Sequence, residues 1–135
     1  MLITVGMLGI MVGMVAPSVS KDISHSRVNG AAQVVAADLE QALSLAGRQR
    51  RPVRVVIDGA AKEIQLIDRV SGQLISRRAL GDVSEYKLYS VAGSPSAVDL
   101  LPQGVATAPT IVTLSAAGYS RRVTMTRGGY VRVTP

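Results

Sequence analysis

The apolar positions of this chain change rhythm twice. Residues 1–19, MLITVGMLGIMVGMVAPSV, carry no charged side chain before Lys21. A helix needs about 20 mostly apolar residues to cross a bilayer core, and there it satisfies its own backbone hydrogen bonds. From Val28 the apolar residues are spaced by four and three: Val28, Ala32, Val35, Leu39, Ala42 and Ala46, widened by Ala31 and Leu43. That spacing is one stripe of a helix. Gln33, Asp38, Glu40, Gln41 and Ser44 fall largely off it. The two stretches join without a break and predict one long helix, apolar and then amphipathic. Pro52 stops it, and Arg48, Arg50 and Arg51 complement its dipole near the end.

Beyond Pro52 the rhythm becomes two. Val53, Val55 and Ile57 share one face of a predicted strand over 52–58. Further strands are predicted at 63–69, 73–80, 83–91, 98–101, 110–115, 119–126 and 130–134. Turns are expected at 59–62, at Ser71-Gly72 and at Pro102-Gln103-Gly104, with a loop over 92–97. Gly128-Gly129 reads as a two-residue hairpin. One helix followed only by strands implies an α+β fold, an antiparallel sheet on one helix face. The chain divides into a membrane-spanning or filament-core segment, 1–23, and a globular domain, 24–135.

Gly9 and Gly13 have the small-xxx-small spacing that lets helices approach closely in lipid. With Gly6 they are the expected helix-packing positions, and Pro17 the expected kink. The rival reading is a cleaved signal peptide, which needs a basic start that is absent here. Its helical pattern would also have to end where this one continues.

Hydrophobic residues make up 47% of the chain but aromatic residues only 3%, all tyrosine, so the core must be aliphatic. There is no cysteine, which excludes a disulfide framework, a thiolate zinc site and a cysteine nucleophile. The formal net charge is +6 and is unevenly spread. No acid follows Asp99, whereas Arg121, Arg122, Arg127 and Arg132 do. A second basic group is Arg48, Arg50, Arg51 and Arg54. Such groups favour anionic partners, although a single arginine is commonly just a solvated side chain.

Little else points to chemistry. His25 is the one histidine and has no second histidine or cysteine to make a metal or catalytic pair. It reads as a surface residue. Asp38 and Glu40, two apart, do not share a helix face. Asp58, Glu63 and Asp68 flank a predicted hairpin and read as solvated turn acids. No G-x-S-x-G elbow and no G-x-x-x-x-G-K-[ST] loop occurs. No catalytic, cofactor-binding or metal-binding residue is assigned, and an enzyme is not expected.

The order of these elements resembles the type IV pilin plan, and in particular the GspH/FimT group of minor pilins and pseudopilins. MLITVGMLGIMVGMVAPSVS is similar to the pilin segment just after the prepilin processing motif, with Pro17 at the usual kink. AAQVVAADLEQALSLAGRQRR, residues 31–51, is similar to the group's alanine-rich helix with its basic end. Leu101-Pro102-Gln103-Gly104 resembles the group's F-x-P-x-G turn, with leucine for phenylalanine. Arg121-Arg122-Val123-Thr124 and Gly129 to Val133 resemble its paired terminal strands. One departure is clear. The cleavage glycine and the F-T-L-x-E that follows it are missing, and the glutamate would fall just before Met1. Two expectations follow: a fragment beginning at an internal methionine, which is the preferred one, or an atypical member of the group.

The resemblance implies a structural subunit held in the inner membrane, with its globular domain in the periplasm. It implies assembly with other major and minor pilins, and a prepilin peptidase acting on the precursor. It also implies an alternative, a FimT-like subunit binding DNA in transformation. FimT-like members carry a C-terminal G-R-x-R motif. Here the matching residues are Gly129-Tyr130-Val131-Arg132, so only Arg132 carries over. Arg121, Arg122 and Arg127 would add phosphate contacts and Tyr130 base stacking. With half the motif gone, a solvated terminal hairpin is the preferred reading of that end.

Overall fold

The computed structural model describes the backbone of residues 2–116 and 118–135, and the side chains of residues 23–116 and 118–135. One helix, α1 (Leu2–Gln49), leads the chain. The roles expected of Gly6, Gly9, Gly13 and Pro17, and of the N-terminal run as a membrane span, fall on side chains outside the described residues. Among the described residues no helix is long and apolar enough to cross a membrane.

The predicted stripe is the buried face of α1. Val28, Ala31, Ala32, Val35, Leu39, Ala42 and Ala46 are all buried, and Leu43 packs at their edge. The helix ends in a Schellman motif. Arg51 N donates to Ala46 O at 3.3 Å, and Arg50 between them takes a left-handed φ of 53°. Glycine usually holds that position, because a Cβ is strained there. Arg50→Gly is therefore expected to stabilise the head by about 0.5–1 kcal/mol, read as a rise in thermal midpoint.

Eight strands follow: β1 (Val53–Asp58), β2 (Glu63–Asp68), β3 (Leu74–Ala79), β4 (Ser90–Ser94), β5 (Ala97–Leu100), β6 (Thr110–Ala116), β7 (Tyr119–Met125) and β8 (Val131–Thr134). They form two four-stranded sheets where the sequence predicts one. The orders are β3-β2-β1-β5 and β4-β6-β7-β8, and every pairing is antiparallel. The single sheet fails because β4 leaves β3 and joins β6, while β5 returns to the free edge of β1.

The strand predicted over 83–91 is displaced. Residues 81–89 are a turn-rich loop, organised by Ser84, whose Oγ donates to Gly81 O at 2.7 Å and accepts from Tyr86 N at 3.3 Å. A serine used this way offers the backbone an alternative to a ladder. β4 instead runs through Gly93, which the sequence assigns to a loop. A Cβ on Gly93 would lie 2.5 Å from Ile57 Cδ1. The β4 backbone thus crosses Ile57 so closely that only glycine fits, and this seam joins the two sheets.

Alternation decides what each strand buries. Val53, Val55 and Ile57 of β1, Ile64 and Leu66 of β2, Val112 and Leu114 of β6, and Val123 and Met125 of β7 all join the core. The largest fully buried side chains are leucines, valines and Met125, with no ring among them. α1 packs on both sheets through this aliphatic layer. β3 is exposed along nearly its whole length and is tied to the helix by Arg78, whose Nε donates to Asp38 Oδ2 at 2.5 Å and Nη2 to Oδ1 at 3.1 Å.

Two turns share one hydrogen-bond pattern. Leu101 N donates to Val105 O and Gly104 N to Leu101 O; Thr126 N donates to Tyr130 O and Gly129 N to Thr126 O. Gly104 and Gly129 occupy equivalent places, with φ of 84° and 85°. The predicted two-residue hairpin at Gly128-Gly129 is thus a three-residue loop, 127–129, whose last residue is left-handed, a known hairpin form. The turns pack on each other. Ala106 N donates to Arg127 O at 2.8 Å.

Candidate functional site: basic surfaces of the head

Period two places neighbouring arginines on opposite faces of β7. Arg121 shares the helix-facing side with Tyr119, Val123 and Met125, whereas Arg122 points outward. Arg121 Nε donates to Tyr119 Oη at 2.9 Å, and its guanidinium lies 5.8 Å from the ring centroid. Tyr119 Oη donates to Asn29 Oδ1 at 3.3 Å. His25 stacks on the same ring, with centroids 3.9 Å apart and 29° between planes. The surface histidine is thus exposed as expected, and it also packs on β7. This group does not stand out in the sequence. Its signal was a tyrosine and an arginine two apart in a strand whose next alternate positions are core.

Arg122 stands opposite Thr113 on one side and Thr134 on the other, and Arg132 stands opposite Thr124. Arg122 and Arg132 are therefore diagonal neighbours on the outer face of this sheet, within reach of one anionic group. Around them lie Thr113, Ser120, Thr124 and Thr134, and no acid among the described residues of this face. Arg127 sits apart in the β7–β8 loop. The four arginines grouped in the sequence resolve into one pair and two separate residues.

The second basic group also divides. Arg54 Nε donates to Asp99 Oδ1 at 2.8 Å, and Arg69 reaches Oδ2 of the same carboxylate at 3.1 Å. Arg51 pairs with Asp68 at 3.6 Å. Arg77 pairs with Glu63 at 3.4 Å. Arg48 and Arg50 form no ion pair among the described residues. Asp58 Oδ1 accepts from the amides of Ala60 and Ala61, and Asp68 Oδ1 from those of Val70 and Ser71. These acids hold turns and arginines, and among the described residues no group of three or more metal-ligating side chains gathers.

The hydrogen bond and charge of Arg54 hold the Asp99 carboxyl below its usual range. The Val70 amide does the same for Asp68, with help from Ser71 and Arg51. Both carboxylates are more acidic folded than unfolded. Their contribution is present above the unfolded value near 3.8 and is lost as pH falls through the lower folded values. Thermal midpoints are expected to be flat above about pH 5 and to fall below about pH 4. Asp99→Asn should flatten that acid limb.

Two clefts remain. One, of about 440 Å³, lies between the paired turns and is lined by Leu101, Val105, Ala106, Thr107, Arg127 and Gly128. The other, of about 480 Å³, lies at the helix end against Gln49, Arg51, Asp68, Gln73 and Ile75. Neither pairs a nucleophile with a base.

The model of the family described as type II transport protein GspH matches residues 31–129. Among solved structures the chain is similar to the minor pseudopilin EpsH from the type 2 secretion system of Vibrio cholerae. The TM-score is 0.65 at 17% identity, over 80% of this chain and 96% of that one. It is also similar to the type IV minor pilin FimU of Pseudomonas aeruginosa, with TM-score 0.66 at 16% identity, over 82% and 90% of the two chains. At such identities the solved structures show likeness of fold alone. No curated protein matches the chain. The family match takes in the stripe of α1 from Ala31 and both sheets as far as the β7–β8 loop, on a helix-and-antiparallel-sheet fold of pilin type; the chain belongs to the GspH family.

Proposed function

We propose that this chain is a minor pseudopilin, a subunit of a type II secretion or type IV pilus-like filament. Residues 1–23 hold it in the inner membrane, with the head in the periplasm. On assembly the same segment leaves lipid and packs among the helices of other pilins, where Gly6, Gly9 and Gly13 permit close approach. A prepilin peptidase acts on the precursor. One observation supports this reading: among the described residues the buried face of α1 runs from Val28 to Ala46 and is covered by both sheets, whereas Ile23 ahead of it is exposed. The apolar run that precedes it in sequence is read as the part that meets lipid or sister helices.

The test is flotation with lipid vesicles of the whole chain and of residues 24–135. The whole chain is expected to float and to resist alkaline extraction; the shorter one is expected to remain in the soluble fraction. Equal behaviour of the two overturns the anchor. Because the chain has no cysteine, a single Gly9→Cys or Gly13→Cys reports helix contacts cleanly. Its expected product is a cross-link to a pilin bearing a cysteine at a matching depth.

A second reading is favoured by one feature, the Arg122–Arg132 pair on a face rich in hydroxyls. There a DNA backbone would meet two cations and no carboxylate. Each phosphate contact adds about one to the salt slope of binding. The double change Arg122→Gln and Arg132→Gln is then expected to lower that slope by about two, and Arg121→Gln to change it less. Absence of duplex binding at low salt overturns this reading.

A further inference from the structure

The head has a basic, aromatic rim where the chain leaves the N-terminal apolar run. β7 begins against residues 25–29 of α1, through the His25–Tyr119 stack and the Tyr119–Asn29 hydrogen bond. Between residues 20 and 30 the chain carries Lys21, Asp22, His25 and Arg27. Arg27 and Arg121 form no ion pair among the described residues. The carboxylates that do hold arginines are Asp38, Glu63, Asp68 and Asp99, all committed elsewhere. Arg121 is held by its Nε on Tyr119 Oη, and its terminal nitrogens have no hydrogen-bond partner among the described residues. Beside it the β6–β7 turn exposes Gly118 at φ 78°.

Position along the helix gives this rim a neighbour. His25 is six residues beyond Val19, about 9 Å at the rise of a helix. The headgroup layer on each side of a bilayer core is about 5–7 Å deep. With residues 1–19 in the bilayer core, the rim would sit just outside that layer, where long arginine side chains reach back to the phosphates. Guanidinium groups make charge-assisted bonds to phosphate oxygens. Tyrosine suits the same zone, with a ring for the acyl boundary and a hydroxyl for the polar side.

We propose that Arg121 and the His25–Tyr119 pair on one flank of α1, together with Arg27 at the same level on another flank, contact anionic lipid headgroups and seat the head on the bilayer that α1 leaves. This rests on the reading of residues 1–23 as the membrane span. Before assembly it fixes the tilt of the head. On assembly these contacts must break as the helix leaves lipid.

The experiment uses the whole chain in nanodiscs of phosphatidylcholine, alone or with added phosphatidylglycerol, and follows amide exchange in the peptide spanning the β6–β7 turn. Exchange is expected to slow by about fivefold with the anionic lipid, the effect of roughly one juxtamembrane cation. The slowing is expected to vanish at high salt and in the Arg27→Gln, Arg121→Gln double variant. It should persist in Arg121→Lys, and in Arg127→Gln, which removes the same charge at the far end of β7. Equal exchange in the two bilayers, or equal loss in Arg127→Gln, overturns the proposal. If the double variant does not fold, the salt series and Arg121→Lys still decide. Incorporation into both discs with equal exchange sinks the lipid contact alone. Failure to incorporate into either disc sinks the membrane span, and the lipid contact with it.

Discussion

Replacing Gly129 by valine is expected to cost the head about 3 kcal/mol. Two separate causes add. Gly129 has a φ of 85°, where a side chain is strained by roughly 1–2 kcal/mol. A Cβ there would also lie 2.7 Å from Gly104 O and 3.3 Å from Leu43 Cδ1. The first contact is backbone, which cannot swing aside, and overpacking of this kind costs about 1–3 kcal/mol. The neighbouring change Gly128→Ala is the control. Its Cβ would meet nothing nearer than Thr126 Oγ1 at 3.9 Å, so its effect should stay within about 0.5 kcal/mol. Urea unfolding of the two variants checks this; equal midpoints would mean that the paired turns do not pack as described.

Leu39→Ala should cost a similar amount, about 3–4 kcal/mol. Leu39 is 1% exposed and lies mid-stripe, where α1 meets both sheets. Its removal loses the transfer energy of the side chain and leaves a cavity that alanines at Ala42 and Ala46 cannot fill. For a domain of this size the thermal midpoint should drop by about 10–15 °C. Glu40→Ala, one residue on but exposed, should change it little. A small drop for Leu39→Ala would mean the head can collapse around the gap.

The stripe of α1 was legible because a helix writes its buried face into sequence at a fixed period. The faces of β1, β2, β6 and β7 were legible for the corresponding reason at period two. What escaped was pairing between distant segments. Nothing local tells β4 to leave β3 for β6, and Gly93 reads as loop because its reason for being glycine is Ile57, far away in sequence. Residues 83–91 look like a strand by their apolar content, but Ser84 turns the backbone into hydrogen bonds of its own. The arginines show a different limit. Arg121 and Arg122 are adjacent in sequence and so invite grouping, yet alternation alone sends them to opposite faces. That division could have been read from the pattern of β7. The diagonal meeting of Arg122 with Arg132 needed the register with β8.

The seven buried residues of α1 from Val28 to Ala46 have a mechanical meaning. They span about 27 Å of helix at its usual rise and touch both sheets. A tug along the axis of the rod cannot release them one at a time; all must slide past their neighbours together. Force applied along the axis of α1 ahead of Val28 is therefore delivered to the whole head as a single load.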